Sequence, residues 1–268
     1  MYLRVWLILL PGAAVALSRS PLSRTDDLSR LILGRSYLHT NVKGDAVSPY
    51  ALTVQSISNL QPQDNFLATQ VWPSARAVAA VLQSHVRQHH AATTTPMIIC
   101  EFGCGPGLPS ITAAAAGAAS VIATDVDPLA LQLVSKAAQE QNLSSLTTHP
   151  FDLIHSYVDE IPHADLYVFS DVFENGHVAA GTARVVAEIL ERGRGASVWV
   201  FAQTDRAQRE TFLEELRRLL GDPTLSWKEQ QADESRGKEC LVVPHPEELQ
   251  YDGTLWLCDV DEQKVTYA

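Results

Sequence analysis

Ile98-Ile99-Cys100-Glu101-Phe102-Gly103-Cys104-Gly105-Pro106-Gly107-Leu108-Pro109 passes from an apolar run through an acid and three alternating glycines into an Ala-rich segment. The apolar run reads as a buried strand and the Ala-rich segment as a helix. Between them, glycines let the backbone turn sharply and approach a ligand with no Cβ in the way. The spacing is E-x-G-x-G-x-G, not the G-x-G-x-x-G of dinucleotide-binding folds. A tight strand–helix turn made for structural reasons alone is the competing reading of this loop.

Working outward, Ser120–Thr124 forms a second apolar strand ending at Asp125, about 20 residues past the glycines, where an acid can accept from both hydroxyls of a ribose. Leu146–Pro150 leads to Phe151-Asp152, and the apolar run Asp165–Phe169 leads to Ser170-Asp171-Val172-Phe173. Helical patterns alternate with the strands: strands at 97–102, 120–125, 146–150, 165–170 and 196–203, helices at 108–117, 128–142, 178–192 and 206–220. That alternation predicts a doubly wound α/β fold with a parallel sheet. Ahead of it, Thr69–Val78 opens a helix with Pro73 in its first turn, running to about His85. In the tail, Thr224–Gln230 and Thr254–Asp259 are expected to pair as antiparallel strands. Residues 1–25 form a leader, 26–67 an N-terminal extension and 68–268 the main domain.

The loop resembles motif I of the class I S-adenosylmethionine-dependent methyltransferases, and the likeness extends over residues 68–220. It implies a Rossmann-like, mostly parallel seven-stranded sheet with helices on both faces and an antiparallel C-terminal strand. It implies S-adenosyl-L-methionine as cofactor, with Gly103, Gly105 and Gly107 cradling its methionine part and Glu101 beside its ammonium. Asp125 would bind the ribose, Phe151 and Asp152 the adenine, and Ser170 would complete the site. Val71-Trp72-Pro73 and Ser170-Asp171-Val172-Phe173 look like the protein lysine methyltransferase group, and Ala123–Ala130 is similar to the electron-transfer-flavoprotein β-subunit lysine methyltransferases. On that resemblance Trp72 packs over the cofactor or closes the substrate channel, while Asp171 and Glu174 line the acceptor side and orient an amine. One position departs: the group commonly has D-x-x-Y where this chain has Asp171-Val172-Phe173-Glu174. A lysine-bearing protein substrate is the expectation, with a small-molecule N- or O-methyltransferase or a non-catalytic cofactor-binding or assembly protein as alternatives.

Each of these residues also has a plainer reading. Glu101 could fix the loop, and Trp72 could anchor the first helix in the core. Asp152 could serve an Asx turn, and Asp171 could cap the next helix. Asp127 reads as an N-cap before Pro128. His85 and His89 have helical spacing but read as a solvated helix end.

Composition narrows the class. The chain has 268 residues, 46% apolar, and a formal net charge of −11. It lacks the basic face that a nucleic-acid substrate favours. Met1–Ala16 has a basic start, a short apolar run and an A-x-A site, the pattern of a secretory signal peptide; the run is too short for a stable membrane span. Leu17–Arg24 is rich in Ser and Arg, as transit peptides are. Plastid or mitochondrial delivery after leader cleavage is one expectation, the secretory pathway the other. The four cysteines read as reduced thiols, with no zinc spacing among them.

Overall fold

The computed structural model describes residues 71–192, 195–227 and 255–260, together with the backbone at 6–8, 14–16, 30–32 and 54–56. The leader and N-terminal extension therefore lie outside the described residues, except for two short antiparallel ladders, Trp6–Ile8 with Ala14–Ala16 and Arg30–Ile32 with Val54–Ser56. Cys240 and Lys228–Gln230 also lie outside them.

Helix α1 (Pro73–Ala92) precedes the sheet. Then follow β1 (Ile98–Phe102), α2 (Leu108–Ala115), β2 (Ser120–Asp125), α3 (Pro128–Glu140), β3 (Leu146–Pro150), β4 (Leu166–Ser170), α4 (Gly176–Glu191), β5 (Ser197–Gln203), α5 (Gln208–Leu220) and β6 (Leu255–Val260). The sheet order is β6-β5-β4-β1-β2-β3, and every pairing is parallel. Strand order reverses between β1 and β4, which is where doubly wound sheets open a crevice at their carboxyl ends. Central β4 is buried along its whole length, as a strand covered on both faces must be.

Local chemistry places the helix starts. Asp127 Oδ1 accepts from the Leu129 N–H, ahead of Pro128 in the first turn of α3. Asn175 Oδ1 accepts from His177 and Val178 N–H groups at the start of α4. At the far end of α5, Gly221 adopts φ +66° and closes the helix.

Two expectations are corrected. The C-terminal strand is parallel, not antiparallel; six strands of the sheet fall among the described residues. Thr224–Trp227 is not a strand, and the rest of the expected strand, Lys228–Gln230, lies outside the described residues. Trp256 packs edge-on against Trp199 (5.5 Å) and Phe201 (4.9 Å), fixing β6 beside β5. Helix α1 also continues past His85 to Ala92. The buried stripe Val78, Val81, Leu82 and Val86 carries its apolar period onward. His85 is thus no solvated terminus: its ring meets Trp199 at 4.9 Å, and burial lowers its pKa to about 4, with His89 adding to the effect.

Candidate active site

At the carboxyl ends of the strands lies a cavity of about 500 Å³. Each wall comes from a different loop. The end of β1 supplies Glu101 and the β1–α2 loop Gly103, Cys104 and Gly105, the tip of β2 supplies Asp125 and Val126, and the β3–β4 segment supplies Phe151 through Ile154. Ser170, Asp171 and Glu174 follow β4, with Trp72 ahead of α1 and Arg206 after β5 completing the lining. All the residues expected at the cofactor or on the acceptor side, except Gly107, meet here.

The glycine loop is built from left-handed backbone, with φ of +64° at Gly103, +50° at Gly105 and +77° at Gly107. Gly107 has a different task from the other two. It caps α2 without lining the cavity, and a Cβ on it would stand 2.5 Å from Val134 Cγ2, so its role is close packing of α2 on α3. The expected place of Gly107 in a cradle is corrected accordingly.

Glu101 and Asp125 hold this loop from beneath. Glu101 Oε2 accepts from the Ser110 N–H at 3.0 Å and from the Ser110 hydroxyl, at the amino-terminal turn of α2. Asp125 Oδ2 accepts from the Gly105 N–H and Oδ1 from the Asp127 N–H, each at 2.9 Å. Neither carboxylate is paired with a base among the described residues. Burial raises the Glu101 pKa to about 8 against the pull of the Ser110 hydrogen bonds, with Asp125 adding repulsion. Burial likewise holds Asp125 above the usual carboxylate range, despite its backbone donors. The Cys100 and Cys104 thiols are buried and free, and burial pushes both up, so neither is a thiolate at neutral pH.

On the β3 side, Phe151 packs edge-on against Phe102 at 4.9 Å. The Asp152 carboxylate makes an Asx turn. Its Oδ1 accepts from Ile154 and His155 N–H groups at 2.7 and 3.2 Å, and its Oδ2 lies 2.9 Å from His155 Nδ1. Burial acts to raise the Asp152 pKa, but the His155 and Ile154 hydrogen bonds prevail and lower it. Of the two expectations for Asp152, the turn is the one in place.

The acceptor side holds the largest departure from expectation. Asp171 was expected either to face an acceptor or to cap α4, and its carboxylate does neither. Asn175 caps that helix. The Asp171 side chain is fully buried, and its Oδ2 accepts from Arg206 Nε and a terminal guanidinium nitrogen at 2.9 and 2.8 Å. Asp171 also sits at φ +56°, a conformation uncommon for a residue with a Cβ, which turns the carboxylate toward β5. The same guanidinium stands 5.1 Å over the Trp72 ring. Sequence reading missed Arg206. The available signal was its place just past the tip of β5, in a fold whose strand tips make the crevice. Glu174 is exposed, lines the cavity and makes no hydrogen bond or ion pair with the described residues. Ser170 Oγ is buried at the wall with no hydrogen-bond partner among the described residues. Phe173 is buried in the core against Phe212.

No curated protein matches this sequence. Among solved structures, the chain is similar to the proposed RNA methyltransferase PH1948 of Pyrococcus horikoshii, with 16% identity, TM-score 0.37, and coverage of 47% of this chain and 61% of that one. It is similar to YcgJ of Bacillus subtilis with 14% identity, TM-score 0.29 and coverage of 38% and 45%. It is also similar to the Trypanosoma brucei PRMT1 enzyme–prozyme complex with S-adenosylhomocysteine, with 22% identity, TM-score 0.28 and coverage of 35% and 28%. The chain thus spans between 28% and 61% of the length of these three structures. The profile of the lysine methyltransferase family matches residues 54–219, more than half of the chain. The chain belongs to the lysine methyltransferase family, and its cofactor is S-adenosylmethionine.

Proposed function

We propose that the chain transfers a methyl group from S-adenosylmethionine, bound in the cavity at the strand tips, to the ε-amine of a lysine in a protein. The observation that carries this reading is the convergence of the glycine loop, Asp125 and Glu174 on one cavity. Its volume of about 500 Å³ falls in the range of small-molecule sites. The residues fit the donor in two further ways. The positive φ of Gly103 and Gly105 brings bare backbone to the wall, and Ser170 Oγ is a buried polar atom in want of a partner.

When bound, the donor supplies an activated sulfonium methyl; the protein's part is alignment, electrostatics and exclusion of water. Asp125, with no base paired to it among the described residues, presents the negative potential that suits the cationic amino-acid end, while Glu101, its pKa raised to about 8, holds the glycine loop through Ser110. Asp125 has lone pairs left on both carboxylate oxygens for the ribose hydroxyls, because each oxygen accepts one backbone N–H. Phe151, Leu153 and Ile154 offer an apolar wall to the adenine. On the acceptor side Glu174 is the acid with no partner among the described residues, and it would draw in and orient the lysine ammonium. Asp171 acts through Arg206, which it holds over Trp72, so it is a positioning residue for the mouth of the site. Loss of the ammonium proton precedes attack, since only the neutral amine has a lone pair to give.

The test is a labelled-methyl assay of the purified protein on fractionated lysate, followed by mass spectrometry of the labelled products. Methyl-lysine in a protein is the expected result. Label confined to small metabolites would replace this reading with a small-molecule methyltransferase. Donor binding without any transfer would indicate a non-catalytic cofactor-binding protein.

A further inference from the structure

The cavity wall formed by Phe151–Ile154 is held from behind by α4, which reaches the cavity itself only in its first turn, through Val178. Arg184, on α4, donates to three carbonyl oxygens of the segment: Leu153 at 3.1 Å, Ile154 at 3.3 Å and Ser156 at 3.2 Å. One turn earlier in α4, Gly181 lets the helix touch the same segment. A Cβ at Gly181 would stand 2.3 Å from the Leu153 carbonyl oxygen, far inside contact distance. Within the segment, the Asx turn of Asp152 and the bond from the Asp152 N–H to Ser156 Oγ at 2.9 Å set the curvature. These internal bonds fix the shape of the turn but not its distance from the rest of the cavity. The segment is anchored at its start by the Phe151 N–H, which donates to the Asp125 carbonyl at 3.1 Å, and from Leu153 to Ser156 by α4.

A guanidinium is suited to this because its donors form a rigid planar fork, always charged, whereas backbone carbonyls are fixed acceptors. With three carbonyls drawn to one cation on the α4 side, the segment gives the cavity the side chains of Phe151, Leu153 and Ile154. Such a shelf takes an apolar, planar group. The charged amino-acid end of the donor is better served at the glycine loop, beside Glu101 and Asp125.

We infer that Arg184 is a positioning residue for the nucleoside half of the methyl donor, setting the height of the Phe151–Ile154 shelf through the Leu153, Ile154 and Ser156 carbonyls. The inference rests on the reading of this cavity as the S-adenosylmethionine site. Arg184 touches no ligand; it acts through backbone that does.

Titration calorimetry on the full chain tests it, with S-adenosylhomocysteine and with 5′-methylthioadenosine, which keeps the nucleoside but lacks the amino-acid end. Arg184→Met keeps most of the side-chain length and removes the donors. It is expected to weaken both ligands by the same factor, tenfold or more, while Arg184→Lys, with one ammonium for three carbonyls, falls between. Gly181→Ala should weaken both ligands in the same direction by pushing the shelf. If Arg184→Met does not fold, Arg184→Lys alone carries the comparison. A lowered melting temperature with wild-type affinity per folded molecule would make Arg184 merely structural and overturn the inference. So would weakened S-adenosylhomocysteine alongside unchanged 5′-methylthioadenosine, because the nucleoside half would then be unaffected. Failure of the wild type to bind either ligand would overturn the cavity reading itself, and the inference with it.

Discussion

At the tips of β1 and β2, Glu101 and Asp125 are buried among N–H and O–H donors, with no base paired to them among the described residues. Across the crevice, at the tip of β4, Asp171 is equally buried but turned onto a guanidinium. A buried carboxylate without a counter-charge loses hydration and has its ionised form disfavoured, which is why Glu101 and Asp125 are both shifted upward. That half of the crevice holds its acids on hydrogen-bond donors, with no counter-charge among the described residues. The other half is neutralised within the protein, and the acid it leaves for an incoming partner is the exposed Glu174. On the proposed reading, a cationic donor on one side and a lysine ammonium on the other would use such an asymmetry.

The contrast can be broken most forcefully at Arg206. Replacing it with Ala strands the fully buried Asp171 carboxylate, and removal of one partner from such a pair costs about 3–5 kcal/mol. Thermal or denaturant unfolding should show that loss, and adding Asp171→Asn in the same chain should restore much of it. Equal stability of Arg206→Ala and wild type would mean that the two groups are not coupled, and that Asp171 is available to an acceptor after all.

Next in size is Asp125→Ala. It removes the acceptor expected at the ribose and frees the Gly105 and Asp127 N–H groups, so donor affinity should fall by about 1.5–3 kcal/mol. Calorimetry with S-adenosylhomocysteine on a folded variant decides it. Unchanged affinity would end the ribose assignment and with it the reading of that half as the donor side.

Glu101→Gln should do least at neutral pH. With its pKa raised to about 8, Glu101 is largely protonated at pH 7, and the amide resembles that neutral form. Stability at pH 7 should therefore change by less than about 1 kcal/mol. The difference lies in the pH profile. Because the folded-state pKa exceeds the ordinary value of 4.5, the contribution is full below about 4.5 and is lost as pH rises through about 8. Melting temperatures across that window should slope downward for this group in the wild type and not in the variant. A variant strongly destabilised at pH 7 would show that Glu101 is ionised there.

What could be read directly from the chain was mostly local. The glycine loop, the Asp127 helix start and the β1 to β5 succession depend on neighbours a few residues away, whereas the start of α4 at Asn175 was not read from the sequence, which offered Asp171 as its cap. The Asx turn of Asp152 was legible as one of two options, since the same carboxylate suits a turn or a ligand. Arg206 was not legible: its carboxylate partner is 35 residues distant, and the pairing exists only because β4 and β5 lie side by side. Arg184 escaped for the same reason, its carbonyl partners lying 28 to 31 residues upstream. Gly107 was legible as a turn glycine, but its crowding by Val134 emerges only when α3 packs against α2.

The sequence by itself determined the doubly wound class, the glycine loop, the strand-tip positions of Glu101, Asp125 and Ser170, and a family membership that spans residues 54–219. Periodicity, turn chemistry and capping are properties of short stretches, and short stretches are what a sequence states outright. Tertiary structure alone decided the direction of β6, the burial of His85 against Trp199, and the turning of Asp171 away from the acceptor side onto Arg206. Each of these depends on which groups from distant parts of the chain share a low-dielectric interior. There a carboxylate must find a cation or lose its charge, and an aromatic ring finds its partner by shape.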